Sequence, residues 1–208
     1  MFDDRTDAGN RLAAELERRG VEADVVLGIP RGALPIARPV ADALEAELDV
    51  VVARKLGAPS NPELAVGAVA SDGSVWYNDS LIDYLNVSDT YLQQVRAREA
   101  ENAATKAARY RGGEDLPDLE GKRVVVVDDG VATGATAIAC LRQVREAGAA
   151  HVTLAVPVGS PDSVRTLEAE ADAVIALESP AGFQAVGQFY RRFGQVSDED
   201  AIEYLNRD

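Results

Sequence analysis

Four consecutive valines run into two aspartates and then into a turn of small residues: Val124-Val125-Val126-Val127-Asp128-Asp129-Gly130-Val131-Ala132-Thr133-Gly134-Ala135-Thr136. A β-branched run of this kind reads as a strand buried on both faces, as in parallel sheets covered by helices. The two carboxylates then emerge at the carboxyl edge of the sheet, where open α/β sheets bind their ligands. The small-residue turn leads into a helix N-terminus, whose free N–H groups and dipole suit an anion, with the Thr133 and Thr136 hydroxyls as further donors. Gly130 and Gly134 let backbone come close to a phosphate. Carboxylates repel phosphate, so a ligand carrying both hydroxyls and a phosphate reconciles the two halves. A sugar phosphate is such a ligand. The other common phosphate loops, G-x-x-x-x-G-K-[ST] and G-x-G-x-x-G, do not occur in the chain.

The surrounding sequence alternates in the way that a covered parallel sheet requires. A first helix is expected from about Thr6 or Asp7 to Arg19, with Gly20 as its stop. Val25–Gly28 reads as a strand, followed by the turn Ile29-Pro30-Arg31-Gly32 and a helix through Ala37, Ala41 and Leu44. Val50–Ala53 reads as the next strand, ending in Arg54-Lys55. After the central motif come a helix from about Ala135 to Ala147, a strand Val152–Val156, a helix after Pro161 and a strand Ala173–Leu177. Residues 56–73 are rich in Gly, Pro and Ser and read as a mobile loop with a weak strand near Ala65–Ala70. Ser88–Tyr110 reads as a long polar helix whose Arg96, Arg98, Lys106, Arg109 and Arg111 either face a phosphate or nucleic acid or form a solvated face paired with Glu99 and Glu101. The tail from 179 sets Phe183, Phe189, Tyr190 and Phe193 among glycines before a short helix from about Asp198. Those aromatics either cover a site or close the core. The expected architecture is one α/β domain over 1–208, with a Rossmann-like parallel core at about 21–178. To it are added a loop at about 56–73, a helical insertion at about 80–112 and a hood at about 179–208.

The central segment resembles the phosphoribosyl diphosphate (PRPP) motif of type I phosphoribosyltransferases, and the likeness extends from about Val25 to Leu177. The resemblance implies that Asp128 and Asp129 hold the ribose diol. Gly130, Val131, Ala132, Thr133, Gly134, Ala135 and Thr136 would hold the 5-phosphate. Pro30, Arg31 and Gly32 stand where the family places its diphosphate loop, and a cis peptide bond entering Arg31 is expected from relatives. Arg54 and Lys55 stand where relatives carry basic catalytic residues before a flexible loop. Mg²⁺ is implied as the cofactor, bridging PRPP oxygens, with Asp128 and Asp129 as candidate protein contacts. The implied reaction transfers phosphoribosyl to a nitrogen acceptor, a nucleobase or related amine, and releases diphosphate. Relatives acting on 6-oxopurines carry a further Asp where this chain has Ala132, which argues against hypoxanthine or guanine. The acceptor hood is expected in the tail, with Phe183 as a stacking candidate. A PRPP-sensing regulator without transferase activity is the alternative, and a phosphohydrolase using the same cradle is a third reading. A homodimer is expected from the family.

Composition narrows the remaining classes. Thirty-five acidic residues against 21 basic ones give a net charge of −14, which repels nucleic acid and anionic lipid, so neither is an expected partner. Solubility is one reading of that surface, and adaptation to a salty cytoplasm, a halophile-like acidic surface, is the sharper one. A polar N-terminus, no apolar run near the ~20 residues of a membrane span and a single cysteine, Cys140, point to a reducing cytoplasm. His151, Cys140, Trp76 and Tyr77 read as structural residues.

Overall fold

A computed structural model describes residues 1–206. The chain runs through α1 (Arg5–Arg18), β1 (Val25–Gly28), α2 (Leu34–Ala43), β2 (Glu47–Val50), β3 (Ala53–Ala58), β4 (Asn61–Ala70) and β5 (Val75–Tyr77). It continues through α3 (Asp79–Leu85), α4 (Asp89–Tyr110), β6 (Arg123–Val127), α5 (Ala135–Glu146) and β7 (His151–Val158). The last elements are α6 (Pro161–Leu167), β8 (Ala173–Glu178), a 3₁₀ turn Val186–Phe189 and α7 (Asp198–Leu205). Helix ends follow local chemistry. Asp4 opens α1 by accepting from the Asp7 N–H, and Gly20 closes it at φ +66°.

Five strands form one parallel sheet in the order β2-β1-β6-β7-β8. Counting these strands alone, the order is second, first, third, fourth, fifth. The winding therefore reverses between β1 and β6, and the loops leaving their carboxyl ends diverge to open a crevice. The pairing Gly28↔Val127 places the turn after β1 directly beside the Asp128-Asp129 pair. Val124 to Val127 are at most 1% exposed, and burial of each contributes about 1.5–3 kcal/mol. The site thus stands on one of the best-buried strands of the molecule.

Residues 53–77 differ from the sequence expectation. Instead of one strand over Val50–Ala53 and a mobile loop with a weak strand near Ala65–Ala70, β2 ends at Val50, and β3, β4 and β5 form a separate three-stranded antiparallel sheet in which that weak strand lies within β4. Arg54 and Lys55 lie within β3 rather than just beyond a strand of the main sheet. Helix α4 covers this second sheet. Leu92, Val95, Glu99, Ala103, Ala107 and Tyr110 recur at three- and four-residue spacing along its buried face. The first of these pack with Leu56, Ala58, Val66 and Val69, and the last with Leu34, Val50 and Val52. The tail folds back over the amino end, where Tyr190 meets Phe2 at 5.4 Å between ring centroids and pairs with it in a backbone bridge.

Candidate active site

The turn after β6 is pinned from its far side by the β7–α6 connection. The Val131 N–H donates to the Val158 carbonyl at 3.0 Å, and the Ser160 N–H donates to the Val131 carbonyl at 2.9 Å. The Ala132 carbonyl accepts from the hydroxyls of Ser160 and Ser163, at 2.9 and 2.6 Å. Gly130 has no room for a side chain, because a Cβ would stand 2.7 Å from Val186 Cγ1. Gly134 takes φ +76° as the cap of α5, and no side chain bonds the helix's leading N–H groups. A cleft of about 180 Å³ opens here, lined by Asp128, residues 130–137, Lys55 and Val186. The structure thereby brings together all of the phosphate-turn residues singled out in the sequence.

The two acids have different surroundings. Asp128 accepts the Asp129 N–H at 2.8 Å and forms no ion pair among the described residues. Burial, and then the charge of Asp129, push its carboxyl well above the usual carboxylate range. Asp129 is also raised by burial, but Arg5 opposes the shift. The Arg5 Nε and Nη2 donate to Asp129 Oδ2 at 3.0 and 2.9 Å, with both side chains largely buried. Arg5 is fixed in turn, lying 3.8 Å over the Phe193 ring and donating to the Gly194 carbonyl at 2.7 Å. The Tyr190 hydroxyl donates to the Asp129 carbonyl at 2.6 Å. Across the crevice, Asp129 rests on Gly32, where any Cβ would collide with its Oδ2. Gly32 is therefore needed for the close approach of the two turns.

Next to the phosphate turn lies a larger cleft of about 640 Å³, whose walls include Pro30, Arg54, Lys55, Tyr91, Glu99, Lys106 and Thr136. Lys55 and Thr136 line both spaces. The Pro30–Arg31 peptide bond is cis. The Arg31 guanidinium is 3.8 Å from Asp198 of α7. Arg54 Nε donates to Glu99 Oε2 at 3.3 Å. Burial raises the Glu99 carboxyl, but hydrogen bonds from Arg98, Asn102 and Arg54 outweigh it and leave the group below its ordinary value. The Tyr91 hydroxyl donates to the Gly57 carbonyl at 2.8 Å, tying β3 to α4. Of the basic residues noted on α4, Arg98 pairs with Glu99, and Arg109 pairs with Asp198 and Glu199. Arg111, just past its end, pairs with Asp49. Lys106 instead turns to the cleft and donates to the Pro30 carbonyl at 3.3 Å.

Phe183 stacks on Phe189, with centroids 5.4 Å apart, and lines neither cleft. The tail residue that reaches the phosphate cleft is Val186. Sequence alone marks Lys106 only as one member of the basic cluster on the long helix, while Arg5, Glu99 and Val186 carry no site signal, and no local pattern marks Arg5, 124 residues from its partner. Among the described residues no group of three or more His, Cys, Asp or Glu side chains is placed to hold a metal.

Comparison with known proteins gives a consistent picture. A phosphoribosyl transferase domain model matches residues 3–187. A Mycobacterium tuberculosis protein, provisionally named a phosphoribosyl transferase, is 45% identical over 207 residues, covering 100% of this chain and 47% of that protein. The chain thus spans about half the length of these curated relatives. The solved structure of TT1426 from Thermus thermophilus superposes with a TM-score of 0.83 at 45% identity, over 99% of this chain and 97% of that one. The amidophosphoribosyltransferase of Bacillus subtilis is 30% identical over 157 residues, 76% of this chain and 25% of that enzyme.

Proposed function

This chain belongs to the phosphoribosyl transferase family, and on that premise we propose that it transfers the 5-phosphoribosyl group of PRPP to a nitrogen nucleophile and releases diphosphate. The observation that carries the proposal is the continuity of the two clefts. An acid-and-small-residue turn suited to ribose 5-phosphate shares Lys55 and Thr136 with a cation-lined space suited to diphosphate. One ligand with both ends would span them.

In this reading the bond from C1 to diphosphate breaks with its electron pair leaving on oxygen, and the acceptor nitrogen bonds C1 from the opposite face. Positive charge develops on the ribose ring, so the protein's contribution is position and electrostatics. Asp128, on the phosphate cleft, would meet the ribose and the developing charge. Asp129, held by Arg5, contributes by fixing the turn and shares any hydroxyl contact with that guanidinium. Arg31, Arg54 and Lys55 would draw charge from the leaving group.

Mg²⁺ binds through one or two carboxylates plus substrate phosphates rather than in a cage of protein ligands. The residues present fit that mode: Asp128 lies on the phosphate cleft without an ion-pair partner among the described residues, while Asp129 is occupied by Arg5. When bound with the substrate, the ion would neutralise diphosphate charge. The acceptor is a nucleobase or related amine, and Ala132 supplies no carboxylate there for a 6-oxopurine. The family resemblance extends the reading to a homodimer in the cytoplasm. No helix of the described residues is long and apolar enough to cross a membrane.

The test is diphosphate release from PRPP with Mg²⁺ across a panel of nucleobases and amines, beside an Asp128→Asn/Asp129→Asn control. Release that requires one acceptor and disappears in the control is the expected result. Tight PRPP binding without turnover across the panel would replace the transferase by a PRPP sensor. Release without any acceptor would point to hydrolysis.

A further inference from the structure

In a chain with 35 acidic and 21 basic residues most arginines pair with a carboxylate, whereas the three lysines, Lys55, Lys106 and Lys122, form no ion pair among the described residues. Lys106 is the half-buried one of these that faces the cleft. Its neighbours on and just beyond α4, Arg98, Arg109 and Arg111, all form ion pairs. The Lys106 Nζ reaches from α4 to the Pro30 carbonyl, 3.3 Å away, at the entrance to the cis bond of the turn after β1. It lines the same cleft as Arg54, Lys55 and Thr136. One of its three N–H donors is used on Pro30, which leaves two for an anion. Burial, followed by the charges of Arg54 and Arg31, presses its pKa below the ordinary lysine value, as befits a cation among cations that lacks its counter-ion.

We propose that Lys106 is a ligand of the leaving diphosphate, so that α4, outside the PRPP motif, completes the substrate site. This rests on the transferase reading above and adds to it one particular member of the basic cluster on α4, a contact made from outside the PRPP motif. A lysine suits the position because a compact ammonium on a flexible stem can bond Pro30 and a phosphate oxygen at once. Being on α4, it would also couple the position of that helix, and of the β3–β4 hairpin packed on it, to the state of the substrate.

The test is calorimetric binding of three probes, each with Mg²⁺: inorganic diphosphate, ribose 5-phosphate and PRPP. It compares the unaltered chain with Lys106→Met, which keeps the stem and removes the charge, and with Lys106→Arg and Asp128→Asn. Lys106→Met should weaken diphosphate and PRPP by about tenfold or more, the loss of a charge-assisted hydrogen bond. It should leave ribose 5-phosphate unchanged, and Lys106→Arg should recover part of the loss. Asp128→Asn should show the opposite bias, weakening ribose 5-phosphate more than diphosphate, on which it acts only through the Mg²⁺ ion. Undiminished diphosphate binding by Lys106→Met would overturn the assignment while leaving the transferase reading intact. Equal weakening of diphosphate and ribose 5-phosphate would also overturn it, since that is the mark of a structural role. Failure of the unaltered chain to bind PRPP or ribose 5-phosphate would overturn both.

Discussion

Asp128 and Asp129 are adjacent in sequence and opposite in circumstance, and two predictions follow from the contrast. Asp128 is buried beside a like charge, so its folded pKa lies above the unfolded value. The native state then holds the proton more tightly than the unfolded chain. That contribution to stability is complete below the unfolded carboxylate pKa and is lost as pH rises through the folded one. Wherever it is ionised, the carboxylate is therefore a net cost, retained for the ligand. Asp128→Asn keeps an oxygen for the Asp129 N–H and should raise the melting temperature at pH 7.5, by about 2–4 °C for each kcal/mol of relief. The advantage should shrink toward pH 4.5, and activity should fall. A variant less stable than the parent at pH 7.5 would refute the account. The second prediction concerns Gly32, where an added Cβ would collide with Asp129 Oδ2 and lie 2.8 Å from its Cγ. Gly32→Ala must shift that carboxylate and disturb its bonds to Arg5. Misplacement of a site by an ångström costs about a hundredfold in rate, so kcat/KM should drop by that order while melting changes far less. An unaltered kcat/KM would show that the position of Asp129 does not matter to the reaction.

At the scale of elements, what could be read from sequence was what is local. The β6–turn–α5 unit is contiguous, and each part carries its own signal: valines for a covered strand, acids at its end, small residues for the turn. The β3–β4 hairpin was legible only as the weak strand near Ala65–Ala70, because Gly57, Pro59 and Pro62 read as loop residues. The structure shows why they are there. A Cβ on Gly57 would stand 2.5 Å from the Pro62 carbonyl oxygen, so the register shift in this hairpin requires glycine. Arg5 carries no local signal, and Lys106 cannot be told from the rest of its basic cluster, for a different reason. Their partners lie 124 and 76 residues away, and only the packing of α1 and α4 onto the sheet brings them in. The anchor between hairpin and helix can be tested directly. Tyr91→Phe removes the hydrogen bond to the Gly57 carbonyl, worth about 1 kcal/mol. Amide exchange should accelerate across residues 53–70 and stay unchanged in β6 and β7. Uniform acceleration across both sheets would mean that the two unfold as one unit and that the hairpin has no separate anchor.

Over the whole molecule the governing quantity is the charge of −14, and its consequence depends on which electrostatic contributions salt removes. Raising ionic strength from 0.1 to 1 M shortens the screening length from about 10 to about 3 Å. Repulsion between acidic residues scattered over the surface acts beyond that range and is suppressed. Ion pairs in contact act within it. The pairs most open to screening, such as Arg11–Asp7 and Arg165–Asp162, are exposed and contribute little to begin with. The pairs that matter most to the architecture are shielded: Arg5–Asp129 at the site, and Arg111–Asp49 where α4 meets β2, both with largely buried side chains. Salt should therefore relieve more repulsion than it removes attraction. The melting temperature should rise between 0.1 and 1 M KCl, with the increase largest in the low-salt part of the range, where the screening length changes most in absolute terms. The comparison belongs in KCl, since sulfate or phosphate stabilises proteins by exclusion from their surfaces and would also compete for the cleft. A melting temperature that falls with KCl would mean that the surface pairs outweigh the net charge, and the acidic surface would then serve solubility alone.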